Sequence, residues 1–177
     1  MSRTPFFFVE RFDNNTNKYE MQHPIIWNYN HTKQKHADLF PYNGCHDLFS
    51  IVENNSIENI FPAMRGIHSG LPKDVATEIK EVYDSCCYEY EGKKEKYFYT
   101  PTARWFSYAD MYIYCLEHPK APDYEAMNND YCDEEKEIMM PTPLMTLKER
   151  VDAFLEVMDD WDWRDDYSQI RIVYWIE

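Results

Sequence analysis

The run Gln169–Ile176 constrains the fold more than any other stretch of the chain. Ile170, Ile172, Tyr174 and Ile176 fall on one face of an extended strand, and Val173 and Trp175 fall on the other. A strand that is apolar on both sides needs cover above and below it, which belongs in the interior of a sheet. Its partners come from the opposite end of the sequence. Phe6 to Phe12 and Lys18 to Ile26 are β-rich runs that flank Asp13-Asn14-Asn15-Thr16-Asn17, residues that form Asx turns and accept left-handed backbone. They predict an opening hairpin, with the terminal strand paired between its two arms.

Helical spacing supplies the cover. Leu48, Phe49, Ile51 and Val52 line one side of a short helix within Asp47 to Glu53. Asp74 to Cys87 carries Val75, Ile79, Val82, Tyr83 and Cys86 at helical intervals, with Asp74 placed as the N-cap. Ser107 caps a third helix with Asp110 three residues on, and Tyr108, Met111, Tyr112, Cys115 and Leu116 form its stripe before Pro119. Thr146-Leu147-Lys148-Glu149 reads as a capping box ahead of Leu147, Val151, Phe154, Leu155 and Met158. Tyr88-Glu89-Tyr90-Glu91 and Lys96-Tyr97-Phe98-Tyr99-Thr100 suit a small hairpin or an irregular insertion around Gly92-Lys93-Lys94. Residues 27 to 44 and 120 to 145 lack a sustained period and read as loops. The expected fold is α+β. A small antiparallel sheet, the N-terminal hairpin plus the C-terminal strand, packs against three to four helices in a single domain spanning residues 1–177.

Charge narrows the partners. Thirty-two acids against eighteen bases leave a net charge of −14, which disfavours direct binding to nucleic acid or to an anionic membrane. The excess is polarised, because residues 121 to 177 hold sixteen acids and five bases, a net −11. Phe6-Phe7-Phe8-Val9 is too short for a signal-peptide core, and the five cysteines show no framework spacing. Both features fit a chain that stays in a reducing cytoplasm.

Few residue groups suggest catalysis. His46-Asp47 resembles the metal-binding dipeptide of phosphohydrolases, but Asp47 is equally suited to cap its own helix, and that reading is preferred. His31, His36, Cys45 and His46 lack the paired spacing of a zinc site. Cys45-His46 are adjacent, and adjacent side chains point apart. No glycine loop matches a nucleotide fingerprint, and no cofactor or metal is expected. Arg65 lies among turn formers ahead of a helix N-terminus, and Arg104-Trp105 could add a charge and a stacking surface for a small phosphate-bearing ligand. The most distinctive segment is Asp159-Asp160-Trp161-Asp162-Trp163-Arg164-Asp165-Asp166. It sets five carboxylates beside two indoles, where carboxylates imitate strand phosphates and indoles serve as interface anchors. A solvated turn with both indoles packed inward is the competing reading.

Four stretches, Asp47-Leu48-Phe49, Gly70-Leu71-Pro72-Lys73-Asp74-Val75, Trp105-Phe106-Ser107 and Arg171-Ile172-Val173-Tyr174-Trp175, resemble a pattern in a family of small uncharacterised accessory proteins of tailed bacteriophages. Ser69 and Thr102-Ala103-Arg104 depart from it, standing where that pattern has an Arg and a His-Ser turn. The resemblance implies a viral accessory role in the host cytoplasm and carries no catalytic or binding residue with it. The expectation is a non-enzymatic inhibitor of a host immune or defence factor. It would act through Asp159, Asp160, Trp161, Asp162, Trp163, Asp165 and Asp166 on a host protein with a basic groove. The alternatives are a sponge for a small signalling nucleotide built on Arg65, Arg104 and Trp105, or a metal-dependent hydrolase using His46 and Asp47.

Overall fold

Strand β9 (Ile170–Ile176) is hydrogen-bonded along both edges. The computed structural model describes residues 5–22, 51–52, 62–92, 96–122, 139–157 and 167–176. On one side of β9 runs β1 (Pro5–Asp13), antiparallel, with Phe7 opposite Tyr174 and Glu10 opposite Arg171. On the other side runs β6 (Arg104–Ser107), with Phe106 opposite Ile172. Strand β2 (Lys18–Met21) extends the sheet beyond β1, and β3 (His68–Ser69) extends it beyond β6, giving the order β2-β1-β9-β6-β3.

The opening hairpin forms as its sequence predicts. Asn17 has φ 56, and Asp13 Oδ1 accepts a hydrogen bond from the Asn15 backbone N–H at 2.9 Å. The expected position of β9 needs correction, because it pairs outside the hairpin and not between its arms. A short turn closes β1 onto β2 at small entropic cost, which leaves no place between the arms, and β9 takes the far edge of β1. Strand β2 also alternates between exposed and half-buried, as suits a rim.

Both faces of the sheet are covered. Ile170, Ile172 and Tyr174 join Phe7, Val9 and Phe106 in one buried cluster, while Val173 and Trp175 join Phe8, Ala76, Ile79 and Ala103 in another. Antiparallel sheets commonly leave one face in water, so the doubly apolar terminal strand explains this departure. The first cluster draws on helix α2 (Tyr108–Glu117) and helix α3 (Pro143–Val157), the second on helix α1 (Thr77–Ser85). A small antiparallel sheet with helices makes the chain α+β.

Local starts and stops differ from expectation in three instructive places. Helix α1 begins at Thr77 with Ala76 in the cap position and no side-chain cap, because the Asp74 carboxylate is engaged elsewhere. Helix α3 begins three residues before the expected box. Thr142 Oγ1 accepts from the Met145 N–H at 3.3 Å, Pro143 takes the first turn, and Thr146 sits inside donating to the Thr142 carbonyl. Leu144, Leu147, Val151 and Leu155 are its buried stripe. Helix α2 is capped by Ser107 as expected, with the Asp110 N–H donating to Ser107 Oγ at 3.0 Å. Its stripe is rotated, however: Tyr114 is buried and Leu116 is 64% exposed. The Tyr114 hydroxyl reaches the Pro62 carbonyl at 2.9 Å, so this residue is buried without losing a hydrogen bond.

Two small ladders complete the described structure. Strands β4 (Tyr88–Glu91) and β5 (Lys96–Tyr99) form the hairpin that the sequence suggests. Strands β7 (Lys120–Pro122) and β8 (Met139–Pro141) pair within the region read as loop, being too short to show a period. Of the expected Asp47–Glu53 helix, Ile51 and Val52 are described. They are helical and fully buried, and the Val52 carbonyl accepts from the Tyr174 hydroxyl at 2.9 Å. Among the described residues no helix is long and apolar enough to cross a membrane.

Candidate functional site

Among the described residues, buried charge is concentrated where β1, β9 and the start of α1 meet. Glu10 is fully buried on β1, directly opposite Arg171 on β9. The Arg171 Nε donates to Glu10 Oε2 at 2.5 Å, its Nη1 to Asp74 Oδ1 at 2.8 Å and its Nη2 to the Asp74 carbonyl at 3.1 Å. The other Glu10 oxygen accepts from the Ala76 N–H at 2.6 Å. Tyr19 closes the arrangement, with the guanidinium carbon 3.5 Å from its ring centroid, and the Trp105 ring lies at 5.5 Å.

This geometry explains the missing cap on α1. A carboxylate from a strand satisfies the donor at the helix N-terminus and meets the positive end of its dipole. Burial pushes the Glu10 carboxyl above its ordinary value of 4.5, outweighing the hydrogen bonds from Arg171 and Ala76 that pull it down. Both of its oxygens are held by donors, so the group acts as a structural clamp between sheet and helix. Sequence reading missed this centre. Its signal was two opposite charges, Glu10 and Arg171, each embedded among apolar residues of a strand.

Of the residues proposed for a small anionic ligand, Arg104 and Trp105 are neighbours on β6, and Arg65 lies in the bend ahead of β3. Strand β3 pairs with β6 so that His68 lies opposite Trp105 and Ser69 opposite Arg104. Consecutive residues on β6 point to opposite faces of the sheet, which separates Arg104 from Trp105. The Trp105 indole stacks on His68 at 4.0 Å, while Arg104 Nε is buried without a hydrogen bond. Arg65 is exposed beside Gly66, whose φ of +80 needs glycine. A Cβ there would stand 2.4 Å from the Asp110 carboxyl carbon. Carboxylates of the chain itself therefore occupy the N-terminal ends of both α1 and α2.

The acidic tryptophan segment, Asp159 to Asp166, lies outside the described residues, as do His31, His36, Cys45, His46 and Asp47. Among the described residues no group of three or more His, Cys, Asp or Glu is placed to hold a metal ion. Cys115 is buried among apolar neighbours, which pushes its thiol up to about 12, far from thiolate chemistry at neutral pH.

A different surface is distinctive for its exposure. The β4–β5 hairpin sets Tyr88 opposite Tyr99 and Tyr90 opposite Tyr97, placing four phenol rings on one face. The reverse face carries Glu89, Glu91, Lys96 and Phe98, and Phe98 is 70% exposed. The period-two order Tyr-Glu-Tyr-Glu was the sequence signal for it. These features define an α+β protein whose described charged centre is structural and whose described aromatic surface faces water. No family model, curated protein or solved structure matches the chain.

Proposed function

We propose that this chain is a non-enzymatic accessory protein encoded by a tailed bacteriophage, which inhibits a host defence factor by presenting an acidic, aromatic surface to a basic groove. The observation that carries the reading is the polarised charge. Residues 121 to 177 hold a net −11, and within them Asp159 to Asp166 sets five carboxylates beside two tryptophans. Such a field steers a cationic partner and repels nucleic acid itself. The phage origin and the host-cytoplasm setting rest on the four-stretch resemblance around Asp47, Gly70, Trp105 and Arg171.

Binding is favoured over turnover because the buried titratable centre at Glu10 and Arg171 uses its polar atoms to join sheet and helix. It is favoured over nucleotide capture because Arg104 and Trp105 leave β6 on opposite faces. An affinity pull-down from host lysate, followed by binding measurements across a salt series, tests the proposal. Replacing the five aspartates of residues 159–166 with asparagine should weaken the captured complex and flatten its salt dependence. Unchanged binding and slope in that variant would remove the mimicry reading.

A further inference from the structure

The tyrosines of the β4–β5 hairpin stand in cross-strand pairs, Tyr90 opposite Tyr97 and Tyr88 opposite Tyr99. Tyr90 and Tyr97 stack with ring centroids 5.2 Å apart and planes 20° from parallel, within the range of contacting aromatic rings. Both are open to reagents in water, at 48% and 45% exposure. Tyr99 is half-buried, and Tyr108, Tyr114 and Tyr174 are buried in the core. Among the described tyrosines, Tyr90 and Tyr97 thus combine a near-parallel cross-strand stack with exposure of both rings.

Neighbouring, exposed phenols invite one reaction in particular. Two groups already held in contact react as one molecule, without the cost of a chance encounter. Coupling between separate copies has that cost, and the net charge of −14 keeps copies apart. We infer that Tyr90 and Tyr97 form an oxidative cross-linking site, at which a one-electron oxidant such as a haem peroxidase fed with hydrogen peroxide joins them as dityrosine.

The chemistry balances within the pair. Each phenol gives up one electron and one proton, and the two phenoxyl radicals form a carbon–carbon bond between ring positions ortho to oxygen. The two ortho hydrogens then pass through water to the oxygens, restoring both phenols. The two electrons and two protons released reduce one hydrogen peroxide to two waters. Strands β4 and β5 pair only with each other among the described strands, and a two-stranded ladder alone is marginal in water. A bond from Tyr90 to Tyr97 closes the hairpin into a ring and removes its open conformations. The site lies outside Asp159–Asp166 and requires no partner protein.

The test treats the full chain with a haem peroxidase and hydrogen peroxide, beside a short unstructured tyrosine peptide as a control for the oxidant. The product should be monomeric, fluorescent as dityrosine and lighter by two hydrogens. Trypsin cuts after Lys93, Lys94 and Lys96, between the strands, so the Glu81–Lys93 peptide should emerge bonded to the Tyr97–Arg104 peptide. Fragmentation should place the bond at Tyr90 and Tyr97. Tyr90→Phe and Tyr97→Phe keep the stacked rings without the phenol oxygen, and each should remove most of the dityrosine fluorescence. Tyr19→Phe, at a half-buried ring outside the hairpin, should leave it unchanged. Amide exchange should slow in β4 and β5 after oxidation and stay as it was in β9.

Absence of dityrosine while the control peptide couples would overturn the inference. So would a main product that is a dimer or is bonded through other tyrosines, or an undiminished yield from Tyr90→Phe. Unchanged exchange of the hairpin amides in the cross-linked protein would overturn the stapling of the two strands.

Discussion

Strand β9 and the β4–β5 hairpin are both rich in aromatic and β-favouring residues, yet they lie in opposite environments. In β9, Tyr174 and Trp175 are fully buried on opposite faces of the sheet. Phe8 and Trp175 stack at 5.0 Å across the β1–β9 pairing, and Phe7 and Tyr174 stack at 5.3 Å. In the hairpin, Tyr88, Tyr90 and Phe98 face water. Two differences account for this. Strand β9 has a strand on each side and helices over its faces, whereas β4 and β5 pair only with each other among the described strands. The single charge on β9, Arg171, is neutralised by residues from β1 and the α1 approach, while the hairpin places a charge at three of its eight paired positions. Aromatic content alone does not bury a strand.

Arg171→Ala breaks the comparison at its strongest point. It would leave the Glu10 carboxylate buried without its cation, and a loss of about 3–5 kcal/mol in urea unfolding is expected. A loss below about 1 kcal/mol would mean that the clamp adds little to β9's burial.

The second prediction concerns pH. The Glu10 carboxyl is held above its ordinary value of 4.5, so the native state binds its proton more tightly than the unfolded chain does. Glu10's contribution is therefore fully present below about 4.5 and is lost as pH rises through the elevated native value. The stability advantage of wild type over Glu10→Ala should accordingly widen as pH is lowered toward 4.5. Unfolding curves for both proteins across that range check the sign, and a parallel pair of pH profiles would contradict it.

On the hairpin the same kinds of change should do little to global stability. Tyr90→Ala removes one exposed stacked ring, and an effect of about 0.2–1 kcal/mol is expected from the lost cross-strand pairing. Lys96→Ala removes a bridge between groups more than half exposed, and its effect should fall below about 0.5 kcal/mol, decreasing further with added salt. Thermal unfolding of both variants beside Arg171→Ala sharpens the contrast, and a large effect of Tyr90→Ala would show the hairpin to be part of the cooperative unit.

How much was legible in the sequence varies with the range of the interaction. The opening hairpin could be read because Asp13 to Asn17 close their turn with their own side chains. Ser107 could be read as a cap for the same reason, its partner Asp110 being three residues away. Asp74 and Thr146 carried equally good local cap signals and do other work. Asp74 turns to Arg171, 97 residues away, and Thr146 is overtaken by Thr142 with Pro143 behind it. The exposed ladder of tyrosines was visible as a hairpin, but its exposure was not, since that depends on what lies above it.

Alternation and helical spacing are set by neighbours along the chain, and so the sequence by itself determined an α+β protein with a hairpin at one end and a doubly buried strand at the other. Only the tertiary structure decided that β9 lies between β1 and β6, that the Ala76 N–H at the start of α1 donates to Glu10 while Asp74 turns to Arg171, and that Tyr88, Tyr90 and Tyr97 of the β4–β5 hairpin face water. A buried charge takes whichever partner the fold brings within hydrogen-bonding distance. For Arg171 that partner is Glu10, 161 residues away in sequence, a separation at which local pattern carries no information.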